Sequence, residues 1–154
     1  MAMTMTGEVN LPANREAVWA ALNDPEVLKS CIPGCQELTK VSDTEFEAVA
    51  KVAVGPVKAS FKGKISLQDL DPPNAYTIRG EGQGGVAGFA KGGANVRLEE
   101  ADGGGTKLTY DVDAQVGGKI AQLGGRLING VAKKYADEFF ANFAKALSPA
   151  ENPA

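Results

Sequence analysis

Between Phe46 and Val116 the chain keeps returning to a period-two alternation of apolar and polar residues; after Gly118 a period of three to four begins. No other feature limits the fold as strongly. Strands that are wet on one face and apolar on the other must have the apolar face covered. In this chain most of the strands come first and one long helical pattern comes last, so that helix is the cover. Phe46, Ala48, Ala50, Val52 and Val54 share one face, with Glu47 and Lys51 opposite. Gly55-Pro56 interrupts them. Val57, Ala59, Phe61, Gly63, Ile65 and Leu67 resume, against Lys58, Ser60, Lys62, Lys64, Ser66 and Gln68. After a turn at Asp71-Pro72-Pro73-Asn74 come Tyr76, Ile78, Gly80 and Gly82. Ala94, Val96 and Leu98 follow, and then Leu108, Tyr110, Val112, Ala114 and Val116. The region reads as an antiparallel meander.

Ile120, Leu123, Leu127, Val131, Tyr135, Phe139 and Phe143 fall at helical steps, which predicts an amphipathic helix from about residue 119 to 147, roughly 43 Å long. Ser148-Pro149 ends it. At the other end, residues 4–11 read as a first strand stopped by Pro12. Asn14 caps a short helix carrying Val18 and Leu22 on one face, and Asp24-Pro25 opens a second. The fold class is therefore α+β: a curved antiparallel sheet of about seven strands wrapped around a long C-terminal helix, with two short helices after the first strand. One domain spans 1–147, and 148–154 form a frayed tail.

Composition removes several function classes. A chain of 154 residues with net charge −3 holds one sizeable core and lacks the basic balance of a nucleic-acid binder. No apolar run nears the ~18 residues of a membrane span. The N-terminus shows no signal-peptide pattern, so a cytoplasmic location is expected, with peripheral contact at the inner face of the cell membrane still open. There is no histidine, which removes Ser-His-Asp and Cys-His catalysis and histidine-ligated metals. Cys31 and Cys35 have neither C-x₂-C spacing nor a second pair, so they read as small apolar residues beside the Pro33-Gly34 turn. A disulfide between them stays open.

The stretch GEGQGG contains Gly80-x-Gly82-x-x-Gly85, the spacing of a dinucleotide fingerprint. That motif needs a helix opening directly after the glycines. Here an alternating segment leads into another strand, so the cofactor reading fails. Gly117-Gly118-Lys119 likewise lacks the rest of a phosphate-binding loop. Volume explains the glycines better. Seven of the fourteen residues from Gly80 to Gly93 are glycine, and the inner face also carries Ala48, Ala50, Ala59, Gly63 and Ala114. The helical pattern adds Ala121, Gly124, Gly125 and Gly130. Two readings stand: an apolar space is left between helix and sheet as a ligand cavity, or the small residues let the helix sit close.

Four segments carry a resemblance: NREAVWAALNDPEVLKSCIPGC, VGPVKASFKGKISLQDLDPP, YTIRGEGQGGVAGFAKGGANVRL and LTYDVDAQVGGKIAQLGGRL. Together they resemble the carbon monoxide dehydrogenase G-subunit family, part of the helix-grip group related to START lipid-transfer domains. The resemblance runs from about Gly7 to Phe143. It implies a helix-grip fold with a hydrophobic cavity between helix and sheet. It also implies service to a molybdenum hydroxylase of the carbon monoxide dehydrogenase type, by membrane recruitment or by binding a respiratory quinone. Longer relatives carry a C-terminal extension proposed to hold the membrane; this chain stops at Ala154, which favours a soluble carrier.

The expected function is thus a non-catalytic carrier or adaptor, with no covalent cofactor and with a bound quinone or lipid. Its expected contacts are Phe61, Tyr76, Ile78, Phe89 and Tyr110 from the sheet, with Leu123, Gly124, Leu127 and Val131 from the helical pattern. The outward Lys58, Lys62 and Lys64 read as a docking surface or as a solvated strand face. Two alternatives remain: a ligand-free assembly factor, and a cyclase or hydrolase of the same superfamily. The enzyme reading is weakened because Glu47, Glu81, Asp111 and Asp113 all fall on the outer face.

Overall fold

In the computed structural model, which describes residues 2–147, seven strands form one antiparallel sheet ordered β1-β7-β6-β5-β4-β3-β2. The strands are β1 (Ala2–Leu11), β2 (Cys35–Ser42), β3 (Glu45–Val54), β4 (Val57–Asp71), β5 (Ala75–Gln83), β6 (Phe89–Glu100) and β7 (Thr106–Gly117). Two short helices, α1 (Arg15–Leu22) and α2 (Pro25–Cys31), carry the chain from one sheet edge to the other, and α3 (Gly125–Leu147) closes it. The two short helices start as their caps dictate. The Asn14 side chain accepts from Ala17 N–H at 2.9 Å and that of Asp24 from Glu26 N–H at 2.9 Å, each satisfying a backbone donor that a helix start leaves free.

Register follows the alternation. Glu47 pairs with Lys64, Lys64 with Glu81, and Glu81 with Lys91, so charges of alternating sign run across four strands of the outer face. Opposite charges facing one another across strands each contribute about 0.2–1 kcal/mol. A one-residue slip would also turn this row into the apolar interior, so the ladder helps to fix register. Lys58, Lys62 and Lys64 are exposed on this face, opposite Ala53, Val49 and Glu47.

The inner face buries two separate clusters. The larger joins Leu11, Val18, Leu22, Phe46, Tyr76, Leu108 and Phe143, where α1, α2 and the C-terminal half of α3 meet the sheet. The smaller joins Val54, Ala87, Val116, Ile120 and Ile128 at the opposite end. Between them lies the band of small residues.

The long helix begins later than the periodicity predicts. Lys119–Leu123 is a 3₁₀ turn, and Gly124, at φ 96°, separates it from α3. A 3₁₀ turn repeats every three residues, so Ile120 and Leu123 keep the apolar spacing of the helix without belonging to it. A left-handed residue cannot lie inside an α-helix, and glycine adopts that conformation without steric penalty. The expected tail, 148–154, lies outside the described residues.

Candidate functional site

The glycine band decides how closely helix and sheet approach. A Cβ placed on Gly80 would meet only Lys64 and Ile65 of β4; on Gly63 it would meet only β5 backbone, and on Gly82 only Lys62 and Phe61 of β4. At Gly125 and Gly130 of α3 it would meet nothing within 4 Å. Had these residues been small to bring α3 onto the sheet, α3 atoms would crowd those positions. They do not, so close helix–sheet packing is not what the glycines serve.

An apolar cavity of about 180 Å³ lies within the larger core cluster. Phe46, Ile65 and Leu67 wall it from β3 and β4, and Tyr76, Ile78, Val96 and Leu108 from β5, β6 and β7. Leu22 of α1, Leu28 of α2, Ile32 just beyond α2 and Leu38 of β2 close one side, and Phe139 and Phe140 of α3 close the other. Every lining side chain is hydrocarbon apart from the hydroxyl of Tyr76. A cavity of about 150 Å³ lined in this way holds a benzene ring, as an engineered lysozyme cavity does.

The aromatic side chains around it are locked against one another. Phe139 stands edge-on to Phe140 at 5.0 Å and stacks on Phe143 at 5.5 Å, and Tyr110 stacks on Phe140 at 5.3 Å. Such pairs prefer these offset and edge-to-face arrangements, which limit ring rotation in the wall. Trp19 stands over Tyr76 from α1. Burial pushes the Tyr76 phenol well above its ordinary range, because an ionised phenolate would lose its hydration there. Tyr110 is raised first by burial and then by the Asp137 carboxylate, opposed by Lys133.

Of the residues expected to bind ligand, Tyr76 and Ile78 line this cavity. Tyr110 lies one layer out, behind Phe140. Phe61, Leu123 and Val131 pack on the smaller cluster at the far end. Leu127 is 38% exposed beside the Gly55 turn. Phe89 is 40% exposed, opposite Gly117 in the ladder, and its neighbour Ala90 is the residue packed on the smaller cluster. Gly124 sits in the 3₁₀-to-helix junction, with nothing within 4 Å of where its Cβ would stand. The expected set is therefore divided between the two ends of the molecule. Phe46, Ile65, Leu67, Val96 and Leu108 of the sheet, Leu22, Leu28, Ile32 and Leu38 near α1 and α2, and Phe139 and Phe140 of α3 complete the cavity without having been expected as contacts. Their apolar character was visible, but which end of the sheet α1 and α2 cover was not.

Both cysteines are free thiols. Burial raises each, partly opposed by Ser30 at Cys31 and by Lys29 and the Glu37 backbone at Cys35. Glu47, Glu81 and Asp113 line open grooves on the outer face, and none of them reaches the cavity. Among the described residues no helix is long and apolar enough to cross a membrane.

None of the curated proteins matches the chain. Solved structures do. A conserved protein from Geobacillus kaustophilus is 32% identical, with a TM-score of 0.88 over 94% of this chain and 95% of that one. The Zhui aromatase/cyclase from a Streptomyces species is 12% identical, with a TM-score of 0.73 over 99% and 98%. A START superfamily protein from Mycobacterium smegmatis is also 12% identical, with a TM-score of 0.72 over 94% and 96%. At that identity the last two share the fold. Finally, a family model for the G subunit of carbon monoxide dehydrogenase (CoxG) matches residues 7–148.

Proposed function

Because the chain belongs to the CoxG family, that of the carbon monoxide dehydrogenase G subunit, we propose that it is a non-catalytic accessory that binds an apolar ring, a respiratory quinone. In this reading it serves a molybdenum hydroxylase of the carbon monoxide dehydrogenase type, in electron transfer or in membrane recruitment. It works in the cytoplasm, with peripheral contact at the inner face of the cell membrane.

The observation that carries the reading is the cavity of about 180 Å³ walled by aliphatic and aromatic side chains. Ligand sites are mostly apolar, with few placed polar groups. Each CH₂ group taken out of water contributes about 0.8 kcal/mol, so the lining supplies affinity for a ring without a charged partner. The cavity accommodates a single ring, leaving any longer tail to extend beyond it. When bound, the quinone would supply the electron chemistry. The chain's own part is to hold the ring and exclude water. The placement of Glu47, Glu81 and Asp113 away from the cavity favours a carrier over a cyclase or hydrolase, which needs an acid or base at the reacting atoms.

The test is solvent extraction and mass spectrometry of protein purified from a quinone-containing host, beside an Ile78→Phe variant that fills the cavity. Near-stoichiometric quinone in the native extract, reduced in the variant, is expected. A native extract without quinone, together with no thermal shift on adding quinones, would overturn the reading in favour of a ligand-free assembly factor.

A further inference from the structure

Among the side chains that line the cavity, one carries a polar group whose chemistry the carrier reading leaves unused. Tyr76 is 4% exposed and lines the cavity from β5. Its ring is held by Trp19, edge-on at 5.1 Å. Its hydroxyl has no hydrogen-bond partner among the described residues, yet no buried side-chain oxygen or nitrogen there is sealed off unpaired. The hydroxyl is therefore not sealed off, and Tyr76 is a residue of the cavity lining. Buried tyrosine hydroxyls usually find a partner, because leaving one unpaired in an apolar setting is unfavourable. A phenylalanine would fill the same place without that penalty.

We propose that the Tyr76 hydroxyl donates a hydrogen bond to a carbonyl oxygen of the ring held in the cavity. The ligand class is then a planar ring compound with a conjugated carbonyl, quinones and aryl ketones among them, in preference to a hydrocarbon of the same shape. This inference rests on the reading of the cavity as a ligand site and adds the selectivity of that site. Burial keeps the phenol protonated across the physiological range, so it is always a donor. The surrounding walls, Leu67, Ile78, Val96 and Leu108, offer no competing polar side chain. A ring lacking an acceptor would leave the hydroxyl unpaired, and such a site rejects the analogue that lacks the group it was built to pair.

The experiment compares acetophenone with α-methylstyrene, in which CH₂ replaces the carbonyl oxygen. Neither is expected to react with Cys31 or Cys35. Affinities for the native chain and for Tyr76→Phe are read by NMR titration, and the carbonyl stretch of bound acetophenone by infrared difference spectra. Tyr76→Phe is expected to weaken acetophenone about tenfold while leaving α-methylstyrene unchanged or tighter. The bound carbonyl stretch should fall in the native chain and return to its apolar-solvent position in the variant. Equal changes for both compounds, or an unshifted stretch in the native chain, would overturn the hydrogen bond while leaving the cavity a ligand site. Failure of both compounds to bind the native chain would overturn the cavity reading and this inference with it.

Discussion

The indole of Trp19 stands edge-on to the ring of Tyr76, with centroids 5.1 Å apart and planes at 75°. Trp19 is the only tryptophan, so its emission reports on the wall of the cavity from α1. A quinone entering the cavity is expected to quench that emission in a saturable way. The Ile78→Phe variant should need a clearly higher quinone concentration for the same quenching. Linear, unsaturable quenching identical in both proteins would mean that the quinone meets Trp19 only by collision from outside.

Phe143 and Phe89 make opposed predictions. Phe143 is fully buried and stacks on Phe139, so Phe143→Ala should cost about 3–5 kcal/mol. Phe89 is 40% exposed, so Phe89→Ala should cost less than about 1 kcal/mol. Urea unfolding of the two variants checks the pair, and equal losses would contradict the split between inner and outer faces.

Thr106 joins the start of β7 to the entrance of α1. It is fully buried, and its hydroxyl donates to the Ala13 carbonyl at 2.6 Å. Thr106→Val should cost about 1–3 kcal/mol, because it removes the donor and leaves the carbonyl unpaired. Thr106→Ser should retain most of the stability. A Thr106→Val variant as stable as native would show that the bond has no net worth.

Alkaline pH should act through Tyr76. Burial raises its folded-state value above that of the unfolded chain. The unfolded phenol ionises near pH 10, while the folded one keeps its proton. Above that pH the folded state binds more protons than the unfolded state, so stability falls as pH rises. This contribution is fully present below about pH 10 and is lost above it, at up to about 1.4 kcal/mol per pH unit. Tyr76→Phe should flatten the stability curve between about pH 10 and 11 relative to native. Parallel curves would mean that Tyr76 ionises freely in the folded protein.

The sheet was largely legible. Strict alternation at Val57–Leu67 and Leu108–Val116 marks strands because one face is wet and the other covered, and the ladder follows it. The caps at Asn14 and Asp24 were equally plain, since their chemistry is local. The helix start was not. The apolar spacing of Ile120 and Leu123 is common to a 3₁₀ turn and an α-helix, and only the φ of Gly124 separates the two. The cavity was legible in kind but not in place. Small residues on the inner face suggested space at their own positions, yet none of them lines the cavity, whose walls depend on where α1, α2 and the Phe139-Phe140 pair settle. That is a matter of packing between elements distant in sequence, which no periodicity records.

The placement of β1 beside β7 has a consequence for synthesis. Leu11 finds its ladder partner in Thr106, roughly a hundred residues further along the chain. A ribosome adding about 5–20 residues per second emits that partner some 5–20 seconds later. Meanwhile Met3, Met5 and Val9 have no sheet to join, and the strand that begins the chain is among the last to be zipped in. For that interval its apolar side is a surface that chaperones, or a neighbouring nascent chain, can reach first.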